Sequence, residues 1–293
     1  MRLKRVRQRV KRILSPRVSE SKTGPAWRAS SLLVLGMVTG TCLAQSGGKS
    51  GAPAGSLKAV VGGARARVEQ SDVRASGRLV AIAANGKRTN NTLALASHSF
   101  SDGLRTLVTV GTPDHSSMRY WLMQDEAGHT AIEALRKGEK APVKLTPEQW
   151  SEGVAGTVFS AEDFADGQFF WAKQTVLPPA KYGARDCFVL KSEPGPGQPT
   201  QYASVTTWID QKNGARVYVE AVPKDGQPTK QFVFYDIEQI GGVWASRQVE
   251  AKLKGKPGSS LLILEHGSPR AHLQRKDFSL TAPMATAGSD AGP

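Results

Sequence analysis

The sequence predicts a mainly antiparallel β protein of the α+β class, with one large sheet and a few short helices. Short apolar, aromatic or β-branched runs of strand length recur along the chain, and turn-forming pairs such as Asn85-Gly86, Asn213-Gly214 and Asp225-Gly226 separate them. These runs amount to ten to twelve strands, nearly all joined by short turns. So many antiparallel strands in one sheet must curl or close.

The first 44 residues differ from the rest of the chain in charge. They contain ten Lys or Arg and one acid, whereas the remaining residues include 29 basic and 24 acidic ones. An uncharged apolar stretch, ASSLLVLGMVTGTCLAQ, follows the basic part and ends in small residues. This order is typical of a secretory signal peptide. We therefore predict residues 1–44 as an export signal that is cleaved after Ala44.

Two alternatives for this segment stay open. The long basic part is compatible with an uncleaved membrane anchor, although the apolar stretch is short for a span. Lipidation at Cys42 is the other, but the residues before it, Val38-Thr39-Gly40-Thr41, lack the Leu and the small residue of a usual lipobox. Cleavage after Ala44 leaves Cys187 as the sole cysteine, so no internal disulfide is expected.

After the signal we predict a flexible Gly/Ser/Ala linker at 45–56, one domain at 57–280 and a disordered tail at 281–293. The domain begins with LKAVVGGARARVEQ at 57–70, whose apolar spacing predicts a short amphipathic helix broken near Gly62-Gly63.

The strands follow in two groups. The first group is predicted in the runs GRLVAIAANGK, TLALASHSF, LRTLVTV, MRYWLMQ and HTAIEAL, and the second in RDCFVLKSE, YASVTTWID, ARVYVEAV, TKQFVFYDI, VWASRQVEAKL and SSLLILEH. Asn213-Gly214 and Asp225-Gly226 are strong hairpin signals in the second group.

Between the two groups, residues 145–172 interrupt the strand pattern. Ser160-Ala161-Glu162-Asp163 has the form of a helix N-cap with acids in the first turn, so a short helix is predicted to begin near Ser160. This helix carries Phe164, Phe169, Phe170 and Trp171. A helix with so many aromatic residues covers either an ordinary core or a cavity.

The sequence contains no motif of a known catalytic or metal site. The five histidines do not stand at metal-ligand spacing, and HExxH, CxxC, GxSxG and P-loop patterns are absent. Cys187 begins an apolar strand, as a small buried residue does. The positive charge outside the signal is modest and spread along the chain, so we expect no nucleic-acid partner. We predict no enzymatic activity, no cofactor and no metal.

Several later strands are apolar on both faces. In QFVFYDI, Phe232 and Phe234 lie on one face while Val233, Tyr235 and Ile237 lie on the other. Either both faces are covered by protein, or one face contacts an apolar ligand.

The run from about Gly156 to Leu280 resembles the outer-membrane lipoprotein-sorting protein family, the LolA-like periplasmic carriers. The resemblance rests on FSAEDFADGQFFW (159–171), CFVLKSEP (187–194), YASVTTWID (202–210), KQFVFYDIEQIGGVW (230–244) and SSLLILE (259–265). The N-terminal half fits more loosely. The resemblance implies an incomplete, half-open antiparallel barrel of about eleven strands, with short helices covering its concave face.

It also implies a periplasmic, non-enzymatic protein that carries or binds the acyl chains of lipoproteins or other lipids. The apolar wall of the binding site is then expected at Trp208, Phe232, Phe234, Trp244, Leu262 and Leu264, and the lid at Phe164, Phe169, Phe170 and Trp171. Plain core packing is the alternative for each of these residues. We expect a monomer with peripheral membrane contact or none, and possible partners among other envelope proteins.

One departure from the family pattern concerns release of the ligand. An Arg helps to hold the closed lid in the well-studied carriers, and none of Arg74, Arg78 and Arg105 can be matched to it. Lipid binding is expected nonetheless, and the alternative is a sensor or scaffold of the envelope that uses the same fold without transport.

Overall fold

The structure is a computed structural model that describes residues 55–240 and 243–280. The predicted signal at 1–44, most of the predicted linker at 45–56 and the tail at 281–293 lie outside the described residues. Ser56, the last linker residue, caps the first helix through a hydrogen bond that its Oγ accepts from the Ala59 amide at 3.3 Å.

The described residues form thirteen strands in one antiparallel sheet. The strands are β1 (Asp72–Ile82), β2 (Arg88–Phe100), β3 (Gly103–Gly111), β4 (Ser117–Gln124), β5 (Thr130–Leu135), β6 (Val143–Lys144), β7 (Lys173–Tyr182), β8 (Arg185–Glu193), β9 (Tyr202–Asp210), β10 (Arg216–Pro223), β11 (Lys230–Ile240), β12 (Val243–Leu253) and β13 (Ser259–Ser268). The fold class is thus as predicted.

The spatial order of the strands explains the half-open shape. Two meanders, β1 to β6 and β7 to β13, are joined where β1 pairs with β13, from Arg74 opposite Ser268 to Ile82 opposite Ser259. The two free edges are therefore β6 and β7, which do not pair with each other. The curved sheet stays unclosed, and the chain must cross from one edge to the other between them.

All eleven predicted strands are present, and β6 and β7 were missed. β6 has only two residues. β7 contains Pro178 and Pro179, which break the strand signal, and the pairing with β8 shifts register between Leu177 and Ala180. A proline lacks the amide hydrogen of the ladder, so it is tolerated here because β7 lies at the sheet edge.

The helix α1 (Leu57–Glu69) is continuous, so the predicted break at Gly62-Gly63 is wrong. Both glycines are exposed, whereas Val60, Val61, Ala64 and Val68 form the buried face. The burial of that face against the sheet offsets the weak helix propensity of glycine, which costs about 1 kcal/mol per residue.

Residues 145–172, here named the cover segment, cross the concave face between the two sheet edges. They form four short 3₁₀ turns at Pro147–Ser151, Val154–Gly156, Ala161–Phe164 and Gly167–Phe170. The start at Ser160 is confirmed, since its amide donates to Asp163 Oδ2 at 2.8 Å in a capping box. A single helix through Trp171 is wrong, because the chain is extended at Ala165.

The main hydrophobic core lies between the concave face and the cover segment. Leu79, Val108 and Ile132 from the first meander have no exposed surface and pack in one cluster with Trp150 and Trp171 of the cover segment. Trp150 and Val154 of the cover segment belong to this buried cluster. The candidate site lies in the same space between the concave face and the cover segment.

Candidate functional site

A cavity of about 390 Å³ lies between the concave face and the cover segment. Its walls come from α1, from β2, β3 and β5 of the first meander, and from β9 to β13 of the second. Most of the lining is apolar. The apolar side chains include Val68, Leu95, Leu104, Phe159, Val205, Ile209, Val219 and Val249. Such a cavity has the size and lining of a small-molecule site, for which about 300–1,000 Å³ is usual.

Five of the six predicted wall residues line this cavity. They are Phe232, Phe234, Trp244, Leu262 and Leu264. Trp208 does not, because β9 directs Val205 and Ile209 inward and Trp208 to the convex face. There its ring lies 5.0 Å from that of Tyr218, measured between centroids.

Three of the four predicted lid residues line the cavity: Phe164, Phe169 and Trp171. Phe170 lies outside it and packs beside α1, where the guanidinium of Arg65 is 5.4 Å from the ring centroid. The same Arg65 donates from Nε to the carbonyl oxygen of Phe169 at 2.8 Å. The last turn of the cover segment is thereby fixed to the helix.

A buried ion pair fixes the middle of the cover segment to the sheet. Lys230 Nζ on β11 lies 2.8 Å from Asp163 Oδ2, and the two side chains are 8% and 2% exposed. Lys230 also donates to Ser160 Oγ at 3.0 Å, and the Tyr202 hydroxyl donates to Asp163 Oδ1. Because each charge is paired and hydrogen-bonded, the burial of both is tolerated.

Glu162 lies next to this network and is also buried. The cation of the network, Lys230, pairs with Asp163 and not with Glu162. Burial raises the pKa of the Glu162 carboxyl from 4.5 to about 7. Hydrogen bonds from Thr200 and from the Gln201 amide lower the pKa, but their effect is smaller than that of burial. The amide bond to Glu162 Oε2 measures 2.9 Å. The cover segment therefore carries a group that changes charge near neutral pH.

A second ion pair lies at the open end of the cavity. Arg216 on β10 contacts Asp166 of the cover segment through Nη1, and its guanidinium lies 5.1 Å from the Phe234 ring centroid. Arg74, Arg78 and Arg105 contact other acids, Asp277, Glu265 and Asp102. The basic residues that contact the cover segment thus include Arg65, Arg216 and Lys230, together with Arg136, whose Nη2 lies 2.9 Å from Glu152 Oε2.

Sequence reasoning missed the polar attachment of the cover segment. One signal was available for Lys230: it shares a strand face with Phe232 and Phe234, and an inward Lys in such a row needs a buried partner. Asp163 appeared only as a cap residue. Their pairing joins residues that are 67 apart in sequence, so no local pattern reveals it.

The described part of the chain offers little for other chemistry. No group of three or more His, Cys, Asp or Glu side chains in it is arranged to hold a metal ion. Cys187 is buried and free, and burial raises the pKa of its thiol. Of the helices described, none has the length and apolar character needed to cross a membrane.

Solved structures of three proteins share this architecture. The first, a domain named for outer membrane lipoprotein sorting from Vibrio parahaemolyticus, is 18% identical with a TM-score of 0.66, over 76% of this chain and 95% of that one. A DUF1329 family protein from Desulfovibrio piger is 17% identical with a TM-score of 0.66, over 76% and 97%. A LolA superfamily protein from Nitrosomonas europaea is 14% identical with a TM-score of 0.58, over 75% and 97%.

Sequence comparisons add less. A family profile described as "Uncharacterized protein" matches residues 138–282, which include the cover segment and all of the second meander. No curated protein sequence matches the chain. The curved unclosed sheet, the cover segment and these structural matches together show that the protein shares its fold with these structures, among them the LolA superfamily protein.

Proposed function

We propose that the protein is a periplasmic carrier or binding protein that holds an acyl chain of a lipoprotein or lipid between its curved sheet and the cover segment. The observation that carries this proposal is the apolar cavity of about 390 Å³ that the cover segment roofs. The predicted export signal at 1–44 supports the periplasmic location. The structural relatives support the class of ligand through the lipoprotein-sorting name that one of them carries.

The cavity has the capacity for one chain. A water molecule in the liquid occupies about 30 Å³, and we take the same volume for one methylene group. A cavity of 390 Å³ then accommodates a chain of about a dozen carbons. Each methylene taken from water contributes about 0.8 kcal/mol, so such a chain gains on the order of 10 kcal/mol before ordering costs. Apolar contact alone is therefore sufficient for binding, without an acid, a base or a metal.

Entry and release require a roof that can separate from the sheet. The cover segment consists of short 3₁₀ turns, which are held at separate points by Lys230, Arg216 and Arg65. The strands of the sheet are paired along their lengths, so the sheet can stay folded while the cover segment gives up these polar contacts and part of its packing against the core. Trp244, which is 41% exposed, marks the end of the cavity that faces solvent.

The first experiment asks whether the exported protein contains lipid. The full chain is expressed with its own N-terminal segment, purified without detergent, extracted into organic solvent and analysed by mass spectrometry. We expect an acyl lipid in close to equal molar amount with the protein. Preparations that repeatedly lack lipid and also fail to bind a fluorescent fatty acid would contradict the proposal.

A matched pair of variants locates the bound chain. Leu264 lines the cavity, whereas its neighbour Ile263 lies on the opposite face of β13. Leu264→Trp fills the cavity and is expected to weaken binding of the fluorescent fatty acid by at least about tenfold. Ile263→Trp adds the same group outside and is expected to leave binding within about twofold of wild type. Equal effects of the two would place the ligand elsewhere.

The second candidate function is an envelope sensor or scaffold that holds lipid without delivering it. The buried Lys230–Asp163 pair favours it, because a charged pair of this kind resists separation and keeps the roof closed. Transfer of the fluorescent fatty acid from the protein to acceptor vesicles distinguishes the two functions. A carrier is expected to transfer faster than the lipid dissociates into buffer, and a sensor is not.

A further inference from the structure

Two arginines lie at the open end of the mainly apolar cavity, whose lining also includes Glu162, Asp163 and Asp166. Arg67, near the end of α1, and Arg216, at the start of β10, both contribute to its lining. The pKa of the Arg67 guanidinium is lowered, first by its partial burial and second by the positive charge of the nearby Arg216. Two like charges held together at an apolar site are unfavourable unless an anion joins them.

A β-bulge brings Arg216 into this position. β10 pairs with β9 as Arg216 opposite Ile209 and then Tyr218 opposite Trp208, so one extra residue, Val217, is inserted between the two pairs. In a regular strand, Arg216 and Tyr218 would lie on the same face. The bulge instead directs Tyr218 to the convex face and Arg216 to the cavity with Ile209, as bulges beside functional sites do.

Arg67 is held in place without a carboxylate. Its Nη2 donates to the carbonyl oxygen of Asn213 at 2.8 Å, and the guanidinium lies next to Gly214. A Cβ at Gly214 would come within 1.9 Å of Nη2, and the residue has a φ of +65°. Within residues 55–240 and 243–280, no Asp or Glu forms an ion pair with Arg67. The guanidinium is therefore positioned and has donors to spare.

The charges at this end do not cancel. Asp166 neutralises Arg216, and Arg67 is left as a surplus cation beside that pair. One more anionic group would balance the surplus charge, and the apolar lining residues Phe234 and Ile209 lie beside Arg216. A ligand with one negative charge at the end of an apolar chain complements both parts.

We propose that Arg67 and Arg216 bind the anionic head group of an acyl lipid whose chain lies in the cavity, so that the protein selects fatty acids or acyl phosphates over uncharged lipids of the same length. The inference rests on the proposed function, since it assigns the head-group end of the same cavity. Carboxylate and phosphate share the required chemistry, because both accept paired hydrogen bonds from a guanidinium. The position of Arg67 at the rim leaves the head group accessible to solvent.

The test compares ligands that differ only in the head group. Lauric acid, dodecyl phosphate and lauryl alcohol compete for the wild-type protein against a fluorescent fatty acid, at low and at high salt. We expect one or both anions to bind at least about tenfold more tightly than the alcohol. The preference is expected to shrink at high salt, because screening weakens a solvent-accessible charge pair. The ratio of acid to phosphate affinity identifies which of the two head groups the site prefers.

A variant of Arg67 and a matched control test whether the preference depends on this arginine. Arg67→Gln is expected to reduce the anion preference to within about threefold of the alcohol while the affinity for the alcohol itself stays within about twofold. Lys212→Gln removes one positive charge from the neighbouring turn, outside the cavity lining, and is the matched control. It is expected to keep the full preference.

The outcomes separate this inference from the proposed function. If the wild-type protein binds all three ligands equally, or if Arg67→Gln keeps the preference, the head-group site is refuted while chain binding stands. If none of the three ligands binds, the proposed function fails and the head-group site fails with it. If Arg67→Gln does not fold, the comparison of the three ligands on the wild-type protein still decides whether the protein prefers anionic head groups.

Discussion

Glu162 makes the stability of the cover segment depend on pH. Its carboxyl has a pKa of about 7 in the folded protein against an ordinary value of 4.5, because burial disfavours the charged form. Because the folded protein binds this proton more tightly than the unfolded chain, the protonated carboxyl stabilises the folded state. This contribution to the free energy of unfolding is fully present below about pH 4.5 and is lost as the pH rises through about 7. A pKa difference of one unit between the folded and unfolded states corresponds to about 1.36 kcal/mol, so the difference of about 2.5 corresponds to about 3 kcal/mol in the free energy of unfolding.

Comparison with Glu162→Gln isolates this effect. Urea unfolding of both proteins is measured at intervals from about pH 4.5 to about pH 8.5, and the difference in the free energy of unfolding is taken at each pH. Groups common to both proteins cancel in the difference. We expect wild type to lose about 3 kcal/mol relative to the variant across this range, with the change centred between about pH 5 and pH 7.

A matched control uses an acid away from the cavity. Glu126 is exposed in the turn between β4 and β5, and Glu126→Gln is expected to change the free energy of unfolding by less than about 0.5 kcal/mol at each pH. If the difference between wild type and Glu162→Gln is constant with pH, the pKa of Glu162 is the same in the folded and the unfolded protein, and the reasoning from its burial is refuted.

Three further changes test the fold by denaturant unfolding. Lys230→Met is expected to cost about 3–5 kcal/mol because it leaves Asp163 buried without its cation, and Lys230→Met with Asp163→Leu should recover much of the loss. With Asp163→Leu also measured alone, a double-variant loss equal to the sum of the two single losses would show that the pair is not coupled. Gly77→Ala should cost more than about 1 kcal/mol, since its Cβ would stand 1.9 Å from the Ile263 carbonyl oxygen, and a neutral result would exclude this close approach. Leu79→Ala should cost about 2–5 kcal/mol, and a smaller loss would mean that the core refills the space.

Local signals in the sequence were sufficient for most of the sheet. Asn213-Gly214 and Asp225-Gly226 were predicted as hairpins, and they connect β9 to β10 and β10 to β11 with both glycines at positive φ. These positions require a conformation that favours glycine, so the turn is encoded in two adjacent residues. Strands between such turns pair with their neighbours, and that rule gives the order within each meander.

The join between the two meanders has no such local code. β1 and β13 pair over a sequence separation of more than 170 residues, from Ile82 with Ser259 to Arg74 with Ser268. No turn specifies this contact, and either strand could pair with an edge elsewhere on the basis of its pattern alone. The family resemblance, rather than the residue pattern, therefore supplied the half-open barrel.

The inward faces of the strands were also beyond sequence reasoning. β9 is apolar or aromatic on both faces, so its alternation does not decide whether Val205 or Trp208 lies inward. The bulge at Val217 reverses the orientation of Arg216 relative to Tyr218, which no alternation predicts. The expected binding role of Trp208 has no support from its position, whereas the roles of the cavity-lining residues remain proposals for the experiments above.

The size of the cavity is itself an argument for a ligand. Unfilled apolar volume in a core costs about 24 cal/mol per Å³, so 390 Å³ corresponds to on the order of 10 kcal/mol of packing that the protein forgoes. That is comparable to the whole stability of an ordinary domain, about 5–15 kcal/mol. Larger side chains at Ala215, Ala221 or Ala245, which line the cavity, would fill it. The sequence instead has small residues at these positions, and the cover segment encloses the cavity and is held to the sheet by ion pairs. This arrangement favours a cavity that a ligand fills.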